Sequence, residues 1–270
     1  MLKRKFYDTL IQWRKEKKNE CLLVSGARQI GKTFIIEQFG KENYKSYIYL
    51  NFVQNPEQKN IFEGSLKPEE IYKKLSLYVE NVNLIPGDTL IFIDEIQVCP
   101  KARTSFKFLA IDNQFDVIAS GSLLGIEYNQ KIQDEEIQKE ISIPVGYERE
   151  IKMYSLDFEE FLWANGITQE AINSLREYFE KRQKVPGTKS DGINGKYLKL
   201  LREYMVVGGL PEVVNTFLET SNFQSVYNAQ QKIFKAYEDD IEHYAKNTEK
   251  PKIKACYNSI PRQLAKEYTK

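Results

Sequence analysis

Short apolar runs alternate with amphipathic stretches through the first half of the chain. The spacing of apolar residues predicts a helix over 5–18, a helix over 32–39 that Gly40 ends, and a helix that begins at Pro68. The continuous apolar runs predict buried strands at 21–25, 47–52, 89–94, 115–120 and 151–154. Strands that alternate with helices in this way predict βαβ units, and therefore an α/β fold with a parallel sheet flanked by helices.

The second half of the chain carries mainly helix signals. Asp157 and Glu160 have the spacing of a capping box, which predicts a short helix that Gly166 ends. The charged stretch 181–195 contains glycine and proline and predicts an exposed loop. We therefore divide the 270 residues into an α/β domain, a helix with a flexible linker, and the start of a mainly helical domain, at 1–165, 166–196 and 197–270.

The composition is that of a soluble globular protein, with 41% hydrophobic and 29% charged residues. A net charge of +1 argues against a strongly basic nucleic-acid binder as a whole. No apolar run approaches the roughly 20 residues of a membrane span, and the start of the chain lacks the apolar stretch of a signal peptide, so we expect neither a membrane span nor a secretory signal. The three cysteines form no C-x-x-C pair and fit a reducing compartment, so we expect a cytoplasmic protein with no membrane partner.

The pattern G-x-x-x-x-G-K-[ST] follows the first predicted strand and precedes a predicted helix. Its residues are Gly26, Ala27, Arg28, Gln29, Ile30, Gly31, Lys32 and Thr33. Such a P-loop points its backbone N–H groups at phosphates, and the following helix adds its positive end. We expect the loop to bind ATP, with Lys32 on the β- and γ-phosphates and the Thr33 hydroxyl on Mg²⁺.

Two carboxylates, Asp94 and Glu95, follow the third predicted strand in a Walker B pattern. Asp94 is predicted to hold Mg²⁺, and Glu95 to orient and deprotonate the attacking water. The fourth predicted strand ends in a Ser-Gly-Ser sequence, where a polar side chain can contact the γ-phosphate; Ser120 is the first choice and Ser122 the second. The alternative interpretation of Asp94 and Glu95 is a solvated turn after a core strand, and that of the Ser-Gly-Ser sequence is a simple turn.

These motifs and several later sequence segments resemble those of an AAA-type P-loop ATPase family of bacteria and archaea. In that family a C-terminal domain of unknown function follows the ATPase domain. The matching stretches are 25–33, 92–97, 118–125, 143–146, 154–162, 207–212 and 257–266. The resemblance implies an AAA+-like sheet in which both Walker strands flank the sensor strand, with ATP and Mg²⁺ as ligands. It supplies no physiological substrate.

The chain departs from the family pattern in two places. Relatives commonly carry a basic residue where this chain has Tyr147, a role that Arg149 could take. Relatives also continue beyond the position of Lys270, so we expect the second domain to be incomplete.

The favoured function is hydrolysis of ATP to ADP and phosphate, coupled to a conformational change on an unknown macromolecular partner. Glu95, Lys32 and Ser120 are the predicted catalytic residues. Arg103 or Arg149, from the same subunit or from a neighbour in a homo-oligomer, could add positive charge. One alternative is a nucleotide-gated interaction module with little turnover. Another is a DNA-associated ATPase, since residues 1–50 hold eleven Lys or Arg against five Asp or Glu.

Overall fold

A computed structural model of the chain describes residues 1–16, 18–122, 144–183, 193–244 and 248–264. The chain forms two compact units, Met1–Pro211 and Glu212–Lys270. The first unit contains five strands: β1 (Cys21–Gly26), β2 (Ser46–Asn51), β3 (Thr89–Asp94), β4 (Asp116–Ser122) and β5 (Glu148–Lys152). They form one sheet in the order β2-β3-β4-β1-β5, and each neighbouring pair is parallel. The predicted parallel sheet is confirmed, with β4 between β1 and β3.

Helices cover both faces of the sheet because successive strand side chains point to opposite faces. Leu22 and Val24 of β1 belong to one apolar layer, and Leu23 belongs to the other. The first layer is completed by α1 (Lys5–Glu16) and α2 (Lys32–Asn43). The second is completed by α3 (Pro68–Tyr78), α4 (Pro100–Thr104) and α5 (Phe106–Asp112).

Helices α6 (Phe158–Ala164), α7 (Gln169–Glu180) and α8 (Ile193–Val207) follow the sheet within the first unit. The predicted capping box at the start of α6 is confirmed. The Glu160 backbone N donates to Asp157 Oδ1 at 2.9 Å, and the Asp157 backbone N donates to Glu160 Oε2 at 3.0 Å. These reciprocal bonds satisfy two backbone donors that a helix start otherwise leaves unpaired.

The second unit is helical, as predicted. It contains α9 (Pro211–Thr220) from its second residue onward, α10 (Phe223–Tyr244) and α11 (Lys250–Leu264). Helices α10 and α11 pack against each other. The rings of Phe217 and Phe223 lie 5.5 Å apart, so the α9–α10 junction is held by an aromatic contact. The predicted division at 165 and 196 stays a prediction.

The helix over 32–39 is longer than predicted, because Gly40 does not end it. Helix α2 continues through Gly40 to Asn43. A Cβ atom at position 40 would clash with the Tyr47 ring on β2. The glycine therefore permits close packing of α2 on the sheet. In the sequence alone, a glycine required by packing looks the same as a glycine that ends a helix.

The fifth strand and the predicted loop also differ from expectation. Strand β5 begins at Glu148 rather than at residue 151, because it pairs with β1 from the Cys21–Glu148 position onward. Helix α8 begins at Ile193, so the last three residues of the loop predicted over 181–195 are helical. Residues 184–192 of that loop lie outside the described residues.

Within the described residues, no helix has both the length and the apolar character needed to cross a bilayer. The three cysteines are free thiols, of which Cys21 and Cys99 are buried and Cys256 is exposed. Burial raises the pKa of the Cys21 thiol well above its ordinary value, so this residue stays protonated in the core.

Candidate active site

The P-loop connects the end of β1 to the first residue of α2. Its turn depends on Gly31, which precedes α2 with φ 90° and ψ 24° in the left-handed region. Glycine adopts this region without steric cost, which explains the second glycine of the motif. The backbone N–H groups at the start of α2 and the positive end of its dipole therefore lie at the loop, where they favour an anion.

Lys32 lies inside this loop, and only 8% of the residue is exposed. Its Nζ donates to the backbone oxygens of Gly26 at 3.0 Å and Ala27 at 2.6 Å. Burial lowers the pKa of the Lys32 ammonium below its ordinary value, whereas the nearby Glu95 and Asp94 carboxylates act in the opposite direction. The loop thus holds a desolvated cation close to two acids.

Asp94 is the centre of a hydrogen-bonded cluster, and the residue is 4% exposed. Its Oδ2 accepts from Thr33 Oγ1 at 2.9 Å and from Tyr49 OH at 3.1 Å. Its Oδ1 accepts from Ser120 Oγ and, at 3.1 Å, from the Glu95 backbone N. Four donors therefore fix the orientation of one carboxylate, and three of them are hydroxyls.

Strand order and alternation bring these residues together. β4 lies between β1, which leads into the P-loop, and β3, which ends at Asp94. Ile93 pairs with Ala119, so Asp94 and Ser120 follow one step further along neighbouring strands. The carboxyl end of a parallel sheet is where open α/β folds bind ligands. The structure therefore brings the predicted residues Thr33, Asp94 and Ser120 to one place.

Glu95 stands immediately beyond β3 with φ 54°, in the left-handed region that non-glycine residues rarely adopt. Its Oε2 accepts a hydrogen bond from Gln97 Nε2. Gln97 is itself buried in the short 3-10 turn that follows. A backbone held in a costly conformation beside a charged cluster is a common property of functional sites.

Tyr49 is a member of this cluster that the sequence motifs do not indicate. Asn51 Nδ2 donates to its hydroxyl at 2.8 Å, and the hydroxyl donates to Asp94. Burial raises the pKa of Tyr49 to about 12, with the Asp94 charge acting in the same direction, so the phenol remains a donor at neutral pH. One sequence signal could have indicated Tyr49. Tyr47 and Tyr49 lie two positions apart in β2, so their side chains are on the same face of the sheet, next to β3.

The two arginines considered for transition-state charge lie elsewhere. Arg103 forms a bidentate pair with Glu148, at 2.8 and 2.7 Å. Arg149 pairs with Glu16 at 2.9 Å and with Glu20 at 2.6 Å. Glu148 lies beside the first residue of β1, whereas the P-loop follows the last one. Both guanidiniums therefore lie at the amino-terminal end of the parallel strands, whereas Asp94 lies at their carboxyl end.

Part of the excess of basic residues in the first fifty positions is neutralised by ion pairs within the chain. Five of these side chains pair with nearby carboxylates: Arg4, Lys5, Arg14, Lys41 and Lys45. Lys32 is bound by the P-loop carbonyls. The count of basic residues in the sequence thus overstates the charge available to a nucleic acid.

The oxygen atoms of Thr33 and Asp94 fit a magnesium ion, because Mg²⁺ prefers oxygen ligands and takes only one or two from protein when phosphates supply others. Thr33 Oγ1 and the Asp94 carboxylate already lie within 2.9 Å of each other. Among the described residues, no group of three or more His, Cys, Asp or Glu side chains could form an all-protein metal site. The pair therefore suits an ion shared with a phosphate ligand.

A P-loop and an acidic strand end, joined across a central strand in a 2-3-4-1-5 parallel sheet, define a P-loop nucleotide-binding α/β domain. The model of a family described as "AAA domain" (AAA_14) matches residues 18–162. The chain belongs to this AAA domain family. A second model, "Domain of unknown function (DUF8612)", matches residues 198–270. Comparison with curated proteins finds no significant match.

Distant similarities to solved structures are also found. The Aeropyrum pernix ORC2 protein in ADPNP–ADP complexes is 16% identical with a TM-score of 0.37, over 62% of this chain and 52% of that one. PCH-2 of C. elegans is 10% identical with a TM-score of 0.39, over 85% and 66%. AMPPCP-bound DnaA from Aquifex aeolicus is 13% identical with a TM-score of 0.43, over 89% and 67%. The chain thus spans about half to two thirds of those chains.

Proposed function

We propose that this protein binds ATP with Mg²⁺ at the P-loop and hydrolyses it to ADP and phosphate. The observation that carries the proposal is the Asp94 cluster, which joins Thr33 of the P-loop to Ser120 of β4 through one carboxylate. In this proposal, turnover is coupled to a conformational change on a macromolecular partner.

Each residue of the cluster has one task in this proposal. Lys32 and the loop N–H groups bind the β- and γ-phosphates, for which a desolvated ammonium is suited. Thr33 and Asp94 hold Mg²⁺, which supplies positive charge against the phosphate oxygens. Ser120 contacts the γ-phosphate side of the site. Glu95 orients a water molecule and takes its proton as the water oxygen bonds to the γ-phosphorus, while the bond to the bridging oxygen breaks and ADP leaves.

Purified protein tests the proposal directly. We expect nucleotide binding that requires the P-loop, together with release of phosphate that stops when Mg²⁺ is chelated. Calorimetry with ATP and a steady-state phosphate assay measure the two quantities separately. Binding without turnover would favour the nucleotide-gated interaction module, and absence of binding would contradict the proposal. Stimulation by DNA with a steep salt dependence would favour the DNA-associated alternative.

Tyr49 gives a second prediction at the metal site. The Tyr49→Phe variant removes one donor from Asp94 Oδ2 and the acceptor of Asn51 Nδ2, while keeping the ring that packs on Phe92. We expect the free energy of unfolding to fall by about 1.5–3 kcal/mol, the usual contribution of a hydrogen bond to a charged group. We also expect a change in the Mg²⁺ concentration that gives half-maximal nucleotide binding, because the freed Asp94 oxygen is less oriented. Denaturant unfolding and magnesium titrations measure these effects.

Tyr72 offers a matched control for this variant. Its hydroxyl donates to Asp112 Oδ2 at 2.7 Å in the opposite layer of the sheet, and its pKa is also raised by burial. The Tyr72→Phe variant should also lose stability, but without changing the magnesium titration. Equal magnesium titrations for the two variants and the wild type would mean that Tyr49 is only a packing residue.

A further inference from the structure

A buried arginine outside the recognised motifs contacts the P-loop. Arg4 precedes α1 and is 8% exposed. Its Nη1 donates to the backbone oxygen of Ile30 at 2.9 Å, and its Nη2 donates to that of Tyr154 at 2.6 Å. Its Nε donates to Glu160 Oε1 at 3.2 Å. One guanidinium therefore joins the loop, the segment after β5 and the capping box of α6.

The partners of Arg4 other than Ile30 are themselves fixed. Glu160 is 5% exposed and also accepts from the Lys5 backbone N at 2.7 Å. Beside Tyr154, the Leu156 backbone N donates to the Gly209 oxygen at 2.7 Å. The Leu156 oxygen in turn accepts from the Tyr204 hydroxyl of α8 at 2.8 Å. Arg4 thus connects Ile30 to a segment that is held from two sides.

The contact with Ile30 determines the direction of a particular N–H group. Ile30 and Gly31 share one planar peptide, in which the carbonyl and the N–H point in opposite directions. Because Arg4 binds the Ile30 oxygen, the Gly31 N–H must point away from Arg4. That group belongs to the row of loop amides predicted to face the phosphates.

Stability alone is a weak reason for this arrangement. A buried ion pair such as Arg4–Glu160 often contributes little net stability compared with apolar residues of similar volume. The planar guanidinium of Arg4, in contrast, donates to several acceptors in fixed directions, which a lysine ammonium cannot reproduce. The geometry of Arg4 is therefore better matched to orienting a backbone than to strengthening a core.

We infer that Arg4 is a positioning residue for the P-loop, which holds the Ile30–Gly31 peptide in the orientation that binds phosphate. The inference rests on the proposed function only where it concerns ATP. Its structural content, a P-loop backbone restrained by Arg4, applies to the protein without nucleotide.

The test compares two double variants, one near the start of α1 and one near its end. Arg4→Met with Glu160→Gln removes the buried pair without leaving an unpaired charge. Arg14→Met with Asp88→Asn removes the Arg14–Asp88 pair at the other end of α1, where Arg14 also stacks on Tyr44, together with the exposed Lys45–Asp88 pair. Hydrogen exchange of residues 26–33 is measured by mass spectrometry without nucleotide, and ATP affinity by calorimetry.

We expect faster exchange in 26–33 for the Arg4 pair variant alone, and an ATP dissociation constant raised roughly tenfold, as for one lost charge-assisted hydrogen bond. The Arg4→Lys variant keeps the charge opposite Glu160 and should fold even if the double variant does not; it too should exchange faster over 26–33. Unchanged exchange there, or an equal increase in β3, would overturn the inference. If the wild type fails to bind ATP, the proposed function is wrong, while exchange still decides the role of Arg4.

Discussion

Replacement of Glu95 by glutamine is expected to leave nucleotide binding intact and to lower ATP turnover by about 10²–10⁴-fold, the usual contribution of a positioned general base. The amide keeps the size of the carboxylate and can still accept from Gln97, but it cannot take a proton from water. Asp94 and the P-loop remain unchanged, so the phosphates and the metal keep their ligands. Calorimetry and a phosphate-release assay on the same preparation measure the two effects.

Two further variants make this result specific. Asp94→Asn should impair Mg²⁺-dependent nucleotide binding as well as turnover, because it replaces one acceptor of the hydroxyl cluster with a donor. Glu69→Gln removes a carboxylate at an exposed position in the first turn of α3 and should change neither quantity. A wild-type turnover rate in the Glu95→Gln variant would show that Glu95 is not the base.

The second large effect is expected for Lys32→Ala. Loss of one charge-assisted contact to the phosphates should weaken ATP binding by about 1.5–3 kcal/mol, or on the order of ten- to a hundredfold in dissociation constant. The same change removes the ammonium that bonds Gly26 and Ala27, so the loop itself loses two internal restraints. Calorimetric titration with ATP and Mg²⁺ measures the affinity.

Lys41→Ala is the matched control, since it removes a lysine from the same helix at an exposed position. Its ATP affinity should equal that of the wild type. Should the Lys32→Ala protein bind ATP as tightly as the wild type, Lys32 would have no part in the phosphate site. Circular dichroism on both variants distinguishes lost binding from lost folding.

The parts of this molecule that could be predicted from sequence depend on local signals. Strand β3 is a continuous apolar run with an acidic end, and all six of its residues are buried. The capping box of α6 needs only Asp157 and Glu160 at the right spacing. The P-loop combines a strand, two glycines and a helix within a short stretch. In each case neighbours along the chain determine the structure, so the sequence pattern is sufficient.

The parts that were missed depend on contacts between distant segments. Gly40 has the pattern of a helix end, and only the Tyr47 ring explains why the helix continues. Strand β5 carries Glu148 and Arg149, which look solvent-exposed in sequence but form ion pairs across elements. Tyr49 and Arg4 have no motif of their own. Tyr49 contacts Asp94 because of the strand order. Arg4 contacts Ile30 at a place where the segment after β5 also meets the P-loop.

The strand order has a consequence for how the chain is made. β1 leads directly into the P-loop, yet Leu22 pairs with Ile118 of β4 and with Arg149 of β5. At about 5–20 residues per second, a ribosome needs on the order of ten seconds to deliver these partners. Both edges of β1 are unpaired until β4 emerges, and one edge stays unpaired until β5 follows, a state that favours aggregation. Nascent chains of this protein are therefore expected to depend on chaperones until β5 has emerged.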